Sequence, residues 1–496
     1  MLRSWSRNGP KTFRLTRTRA GWCSSHSLQP YNSNTHYPTS AAQTRSYNAP
    51  PWRPASTLDE WVGKEARPIS LRQLMVFGRS LTEARLISSA NYVRTELPTR
   101  LAHRIRDMQT LPYVVVTNPH ISQVYELYYK AFESLRRVRE IKTLEDNEKF
   151  CKKISQTLQE HLTVIPKLAM GVLECRDLMK PEDMDKFMNT ILRSRISRRV
   201  IAEQHLALTE TFHSPWHFPD AQPTPQAQTH TEFVGEVFLK CNAREVVSRC
   251  FSAVETLCLA TYGPSTILPA IKLSGHLDAT FPYILSHLEY IIGELLRNSM
   301  QAMVERQKTN SRGRGWGAGE TPPPIEVTVC EAPQHVIIRV SDQGGGIPRD
   351  ILPHLWSFSK GPRSSQRLEN LTQVPKMAAT LQELRVSSDI PSPLSSPSPN
   401  HSPTAASSPH PDPNINSTRT PPSISGHDSS LSSLSSRPPD LRLGMGLPLS
   451  RVYAEYWAGN LELHSLEGYG VDAFLQISKL GNKNEQLTMR ASMDAV

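Results

Sequence analysis

The stretch Tyr290–Glu305, YIIGELLRNSMQAMVE, decides how this chain is read. Ile291, Ile292, Leu295, Leu296, Met300 and Met303 recur at the spacing of a helix buried on most of its surface. Glu294 and Asn298 interrupt that pattern. They are four residues apart and so lie on one face. A carboxylate and an amide in packed core each cost free energy unless they are satisfied. What satisfies this pair is the question the rest of the sequence has to answer.

Downstream of the helix, a Gly/Pro-rich loop (Ser311–Pro324) leads to IEVTVC and HVIIRVSD, which alternate as strands. Near the end, GLPLSRVYAEYWAG reads as a helix, and NLELHSL and VDAFLQI as two further strands. Such a mixture predicts an α/β sandwich with helices over one sheet face. Two glycine motifs punctuate it. SDQGGGIP, Ser341–Pro348, sets Asp342 at a strand end before three glycines, where a ligand can approach the backbone closely and the carboxylate can accept a hydrogen bond from an exocyclic amine; a plain Gly-rich turn is the simpler alternative. LGMGLPLSRVY, Leu443–Tyr453, sets Gly444 and Gly446 before a helix, whose unpaired N–H groups suit phosphate, or serve only as a cap. Between the motifs lies a Ser/Pro-rich segment, residues 376–440, too poor in core-forming residues to fold and expected to be disordered.

Upstream, from Ile69 to His213, the pattern is helical throughout. Four segments, opened by SLRQLMVFGRS, carry apolar residues at three- and four-residue spacing, as in Val124, Leu127, Tyr128, Phe132 and Leu135. Short links between them predict a four-helix bundle. The domain plan is then a leader (1–50), the bundle (67–215), a linker (216–232) and a nucleotide-type domain (233–482) with the 376–440 insert inside it.

The totals agree with two domains: 496 residues, 38% hydrophobic, with 40 prolines. The net charge of +10 does not predict a nucleic-acid partner, because eight Lys and Arg precede the first acid, Asp59. That Arg/Ser/Thr-rich, acid-free leader predicts a mitochondrial transit peptide. No apolar run is long enough to span a membrane. The seven cysteines form no CxxC pair and predict free thiols.

The order of the motifs carries more than any one of them. A helix with ExxxN, then strand–DxGxG, an insert, and GxG–helix followed by a hairpin resembles the ATP-binding domain of the GHKL superfamily (Hsp90-type chaperones, DNA gyrase, MutL, histidine kinases). Within it, the segments RPISLRQLMVFG, TELPTRLAHRI, VIPKLAMGVLE, SRISRRVIAEQH and ELLRNSMQA are similar to the mitochondrial 2-oxo-acid dehydrogenase kinases. NPHISQVYELYYKAF, FPYI and HLEYIIGELLRN, with Tyr290 where pyruvate-type enzymes usually carry histidine, are more similar to the branched-chain kinase.

The resemblance implies that the cofactors are ATP and Mg²⁺. It makes Glu294 the general base, Asn298 the Mg²⁺ ligand and Asp342 the adenine reader. Gly344, Gly346, Gly444, Met445, Gly446 and Leu447 then form the nucleotide cradle, which Glu294, Asn298 and Asp342 also line. It implies transfer of the γ-phosphoryl group to a serine of the E1 component, docking on a lipoyl-bearing E2 domain, a homodimer joined through the nucleotide domain's sheet, and the mitochondrial matrix. HLWSFSKGPR, with Lys360 and Arg363, would open the nucleotide lid. Two positions depart from the family pattern: Arg442 stands where the glycine motif usually begins, and Val471 where a Thr is usual. They leave open a nucleotide-binding regulatory subunit without transfer activity. A GHKL histidine kinase or chaperone-type ATPase is the third reading, although His161 and His205 sit in no phosphoacceptor motif and read as structural.

Overall fold

The computed structural model describes residues 55–78, 81–213, 233–310, 321–377, 441–479 and 483–487. The leader, the 216–232 linker and residues 378–440 of the insert lie outside the described residues.

The N-terminal region is helical. After α1 (Ala55–Val62) and α2 (Leu71–Gly78) come α3 (Glu83–Gln109), the single turn α4 (Tyr113–Val116), α5 (Pro119–Arg136), α6 (Leu144–Glu160), α7 (Val164–Glu174) and α8 (Pro181–His213). Caps explain several starts. The Thr82 and Thr143 side chains accept from the N–H groups of Arg85 and Asp146, and Asn118 accepts from His120 and Ile121 ahead of Pro119. The predicted stripe on α5 is buried at Val124, Tyr128, Phe132 and Leu135, with Leu127 half-buried. One expectation is corrected: SLRQLMVFG is only the short α2, and the long helix at that end is α3, 27 residues with Pro98 inside it. Proline interrupts the periodic pattern, and α3 also buries Glu96, Thr99 and Arg100, which blurs its apolar face.

The second region holds two sheets. β1 (Phe233–Val234), β2 (Val237–Asn242) and β4 (Thr280–Ile284) form a small antiparallel sheet. The larger one has the order β3-β5-β6-β8-β7, built from β3 (Ile271–Gly275), β5 (Ile325–Glu331), β6 (His335–Asp342), β8 (Gly470–Ser478) and β7 (Asn460–Leu466). Only the β3–β5 pair is parallel. Alternation decides which face is covered: Ile325, Val327, Val329, Val336, Ile338 and Val340 are buried, while Glu326, Thr328, Arg339 and Ser341 point the other way. Helix α10 (Leu285–Asn310) and the last helix, α12 (Gly446–Tyr456), pack on the apolar side, with α9 (Ala243–Tyr262) against α10. The arrangement is the mixed α+β architecture predicted, although α9 and β2–β4 extend it beyond the elements recognised from periodicity. Among the described residues, no helix is long and apolar enough to cross a membrane.

Candidate active site

Helix α10 runs beneath the end of β6 and the start of α12, so it supplies one wall of whatever forms there. Its apolar residues Ile291, Ile292, Leu295, Leu296, Met300 and Met303 are all buried. Its polar face, Glu294, Asn298, Gln301 and Glu305, opens into a cavity of about 720 Å³. Gly344 and Gly346 border that cavity from the turn after β6, and Gly444, Gly446 and Leu447 from the start of α12. Seven of the nine predicted site residues, Glu294, Asn298, Gly344, Gly346, Gly444, Gly446 and Leu447, thus line one cavity. Met445 does not line it: its side chain is buried in the core. Asp342 is buried and does not line it either, although Gly344, two residues on, does.

The carboxylates are held by specific donors. Arg297, one turn along α10, donates to Glu294 Oε2 and fixes its orientation. Asp342 accepts from Ser299 Oγ (2.9 Å) and from the Gly344 N–H (2.8 Å). Burial pushes the Asp342 carboxyl above the usual carboxylate range, and these hydrogen bonds oppose the shift. Val471, across the sheet from Asp342, is half-buried beside it.

The glycines serve protein contacts as well as access. A Cβ on Gly446 would meet the Glu294 carboxylate, and one on Gly444, whose φ is +68°, would meet the Arg367 guanidinium. Lys360 and Arg363 both line the cavity, on the segment that follows the Gly344–Gly346 turn. Arg442 lines it too and forms an ion pair with Glu305 on α10.

Sequence reasoning did not single out Arg297, Ser299, Arg367, which donates to the Leu443 and Gly444 carbonyls, or Asp185, which accepts from the Phe358 and Ser359 N–H groups. The first two share α10 with Glu294 and could have been found by helical spacing; the last two act on backbone atoms remote in sequence and leave no pattern. His161 and His205 are buried in the helical region. Burial pushes them down to about 3 and about 4, so both are neutral at ordinary pH. His205 is bonded to Ser89 and Asn147, which makes it a structural group.

Comparison with known proteins agrees with this geometry. Residues 68–238 match the family profile described as mitochondrial branched-chain alpha-ketoacid dehydrogenase kinase. Residues 284–383 match that of the histidine kinase-, DNA gyrase B- and HSP90-like ATPases. The chain is 32% identical to the mitochondrial pyruvate dehydrogenase (acetyl-transferring) kinase 2 of Saccharomyces cerevisiae, over 87% of this chain and 86% of the relative. It is 29% identical to the mitochondrial pyruvate dehydrogenase (acetyl-transferring) kinase of Arabidopsis thaliana, over 86% and 94%. Isozyme 4 of the same kinase from Homo sapiens is 25% identical, over 84% and 82%.

Proposed function

The chain belongs to the mitochondrial 2-oxo-acid dehydrogenase kinase family, and on that premise we propose that it transfers the γ-phosphoryl group of ATP to a serine of an E1 component, inhibiting its dehydrogenase complex. The observation that carries the proposal is the shared cavity, into which Glu294 and Asn298 open together with the Gly344–Gly346 and Gly444–Gly446 turns. In this reading Asp342 accepts a hydrogen bond from the adenine amine, and the glycine turns lie along the nucleotide with Met445 and Leu447. Glu294 takes the proton from the serine hydroxyl, oriented for it by Arg297.

Asn298 is the side chain suited to hold Mg²⁺, through its amide oxygen. Held there, the ion would take its other ligands from phosphate and water. Bound there, Mg²⁺ neutralises phosphate charge. The chain's own residues have mainly to position the reactants.

The relatives' names point to the pyruvate E1, while the helical-region profile and Tyr290 point to the branched-chain E1. The relatives' mitochondrial names and the composition of residues 1–50 support import into the matrix. A lipoyl-bearing E2 domain and a second copy of the chain complete the proposed partners, and the domain limits 67–215 and 233–482 go with them.

The test is incubation of the purified protein with labelled ATP and each purified E1. Acid-stable serine phosphate is expected on one of them, reduced at least ~100-fold by Glu294→Gln and by Asn298→Ala. Binding of MgATP without transfer to either E1 would instead identify a regulatory subunit, and acid-labile autophosphorylation a histidine kinase.

A further inference from the structure

Two stretches of chain border the cavity opposite α10: residues 354–363 and residues 441–446. One guanidinium joins them. Arg367 lies on α11 (Ser364–Thr372) and is 6% exposed. On the first stretch, it donates to the carbonyls of Phe358 (3.0 Å) and Lys360 (3.2 Å). On the second, it donates to those of Leu443 (3.3 Å) and Gly444 (3.3 Å). Asn370, one turn further along α11, adds a bond to the Arg442 carbonyl (2.9 Å). Gly444 is the position where the guanidinium passes closest, and no Cβ fits there. The glycine at 444 accommodates a protein group before any ligand arrives.

The first stretch is also tied to the helical region. Asp185, near the start of α8, accepts from the N–H groups of Phe358 (2.8 Å) and Ser359 (3.3 Å) and from Ser359 Oγ (3.4 Å). Phe358 is therefore held at its N–H by one domain and at its carbonyl by Arg367. Three cations that face the cavity, Lys360, Arg363 and Arg442, ride on the stretches so held.

We propose that Arg367 and Asp185 are positioning residues for nucleotide binding: Arg367 sets the spacing of the two stretches, and Asp185 anchors that pair to the helical region. Asp185 lies outside the cavity lining, and Arg367, which borders it, directs its donors at the four carbonyls. The inference rests on the kinase function proposed above. Its physical basis is preorganisation. Chain ordered before binding does not have to be ordered by the ligand, so affinity is gained without a new contact. The donors of this buried guanidinium go to four neutral carbonyls, while the Asp185 carboxylate acts on it only through space, which suits a group that fixes backbone.

The experiment compares wild type, Asp185→Ala, Asp185→Asn and Arg367→Lys by ADP titration calorimetry, by KM for ATP and kcat, and by the melting temperature without ligand. Asp185→Ala should raise the ADP Kd and the ATP KM about tenfold while kcat stays within about twofold. Asp185→Asn keeps an acceptor oxygen for the Phe358 N–H and should recover most of the loss. Arg367→Lys, whose three donors leave one point, cannot span four carbonyls and should weaken nucleotide binding at least as much as Asp185→Ala. Unchanged nucleotide affinity in Asp185→Ala overturns the proposal, and so does a loss that Asp185→Asn does not relieve or that falls on kcat and melting temperature instead. Should Arg367→Lys fail to fold, the Asp185 pair decides alone. Failure of the wild type to bind ADP would overturn the kinase reading, a separate result.

Discussion

Asp342 accepts from Ser299 and from the Gly344 and Val471 N–H groups on a carboxylate that burial pushes toward its protonated form. The adenine contact proposed for it requires those donors to keep it ionised and aimed. Asp342→Asn replaces one acceptor oxygen by an NH₂ group; its remaining oxygen can keep the Gly344 N–H and its NH₂ can donate to the Ser299 hydroxyl, but that NH₂ then meets the proposed adenine amine with a donor. The cost of the mismatched bond is about 1–3 kcal/mol. The ATP KM of Asp342→Asn should therefore rise about 10- to 100-fold, read by steady-state kinetics, with a normal KM counting against adenine contact here. Glu294, Asn298 and Asp342 are legible in the sequence because helical spacing and the glycine run mark them locally. Ser299 is less so, since a serine on a buried helix has many ordinary uses. Asp185 is not legible at all: its partner Phe358 lies 173 residues away and is engaged through its backbone N–H.

Between α10 and α12 the contact is closer than side-chain volumes alone suggest. Gly446 opens α12, and the Glu294 carboxylate of α10 occupies the space its missing Cβ leaves. Gly446→Ala should leave the fold at least as stable, because alanine favours a helix over glycine by up to about 1 kcal/mol. Yet it must displace Glu294, the proposed base, and misplacing a reacting group by about 1 Å can cost ~100-fold in rate. The expected outcome is a melting temperature equal to or above wild type with kcat reduced at least about tenfold; an unchanged kcat would show that Glu294 tolerates displacement. Elements with clean periodicity, α5, α10, β5 and β6, are readable from sequence. α3 is hidden because Pro98 breaks its run and its buried face includes Glu96 and Arg100, which pair with each other.

Across the whole molecule, the helical and sheet regions are fastened by buried charge. The short segment 483–487 returns to pair with Ser70 through Asn484. It also buries Glu485 against Arg100 of α3 (2.8 Å), the Tyr456 hydroxyl of α12 and the Ile69 N–H (3.1 Å). Arg193 of α8 and Glu455 of α12 form a second ion pair between the regions. Removing one partner of a buried pair leaves the other uncompensated, at about 3–5 kcal/mol. Glu485→Ala should lower unfolding free energy by about 3 kcal/mol, the low end because Arg100 keeps Glu96. Urea denaturation measures it, and a loss under about 1 kcal/mol would mean that this fastening is not structural. Local periodicity and glycine spacing were enough to specify the helical half, the mixed α/β half and the polar pair Glu294 and Asn298 that lines the cavity, because each of those signals is written within one turn or one strand. The joining of the two halves by Glu485, Asp185 and Arg367 came only with the folded chain. Those side chains meet backbone atoms and charges that no short-range pattern brings together.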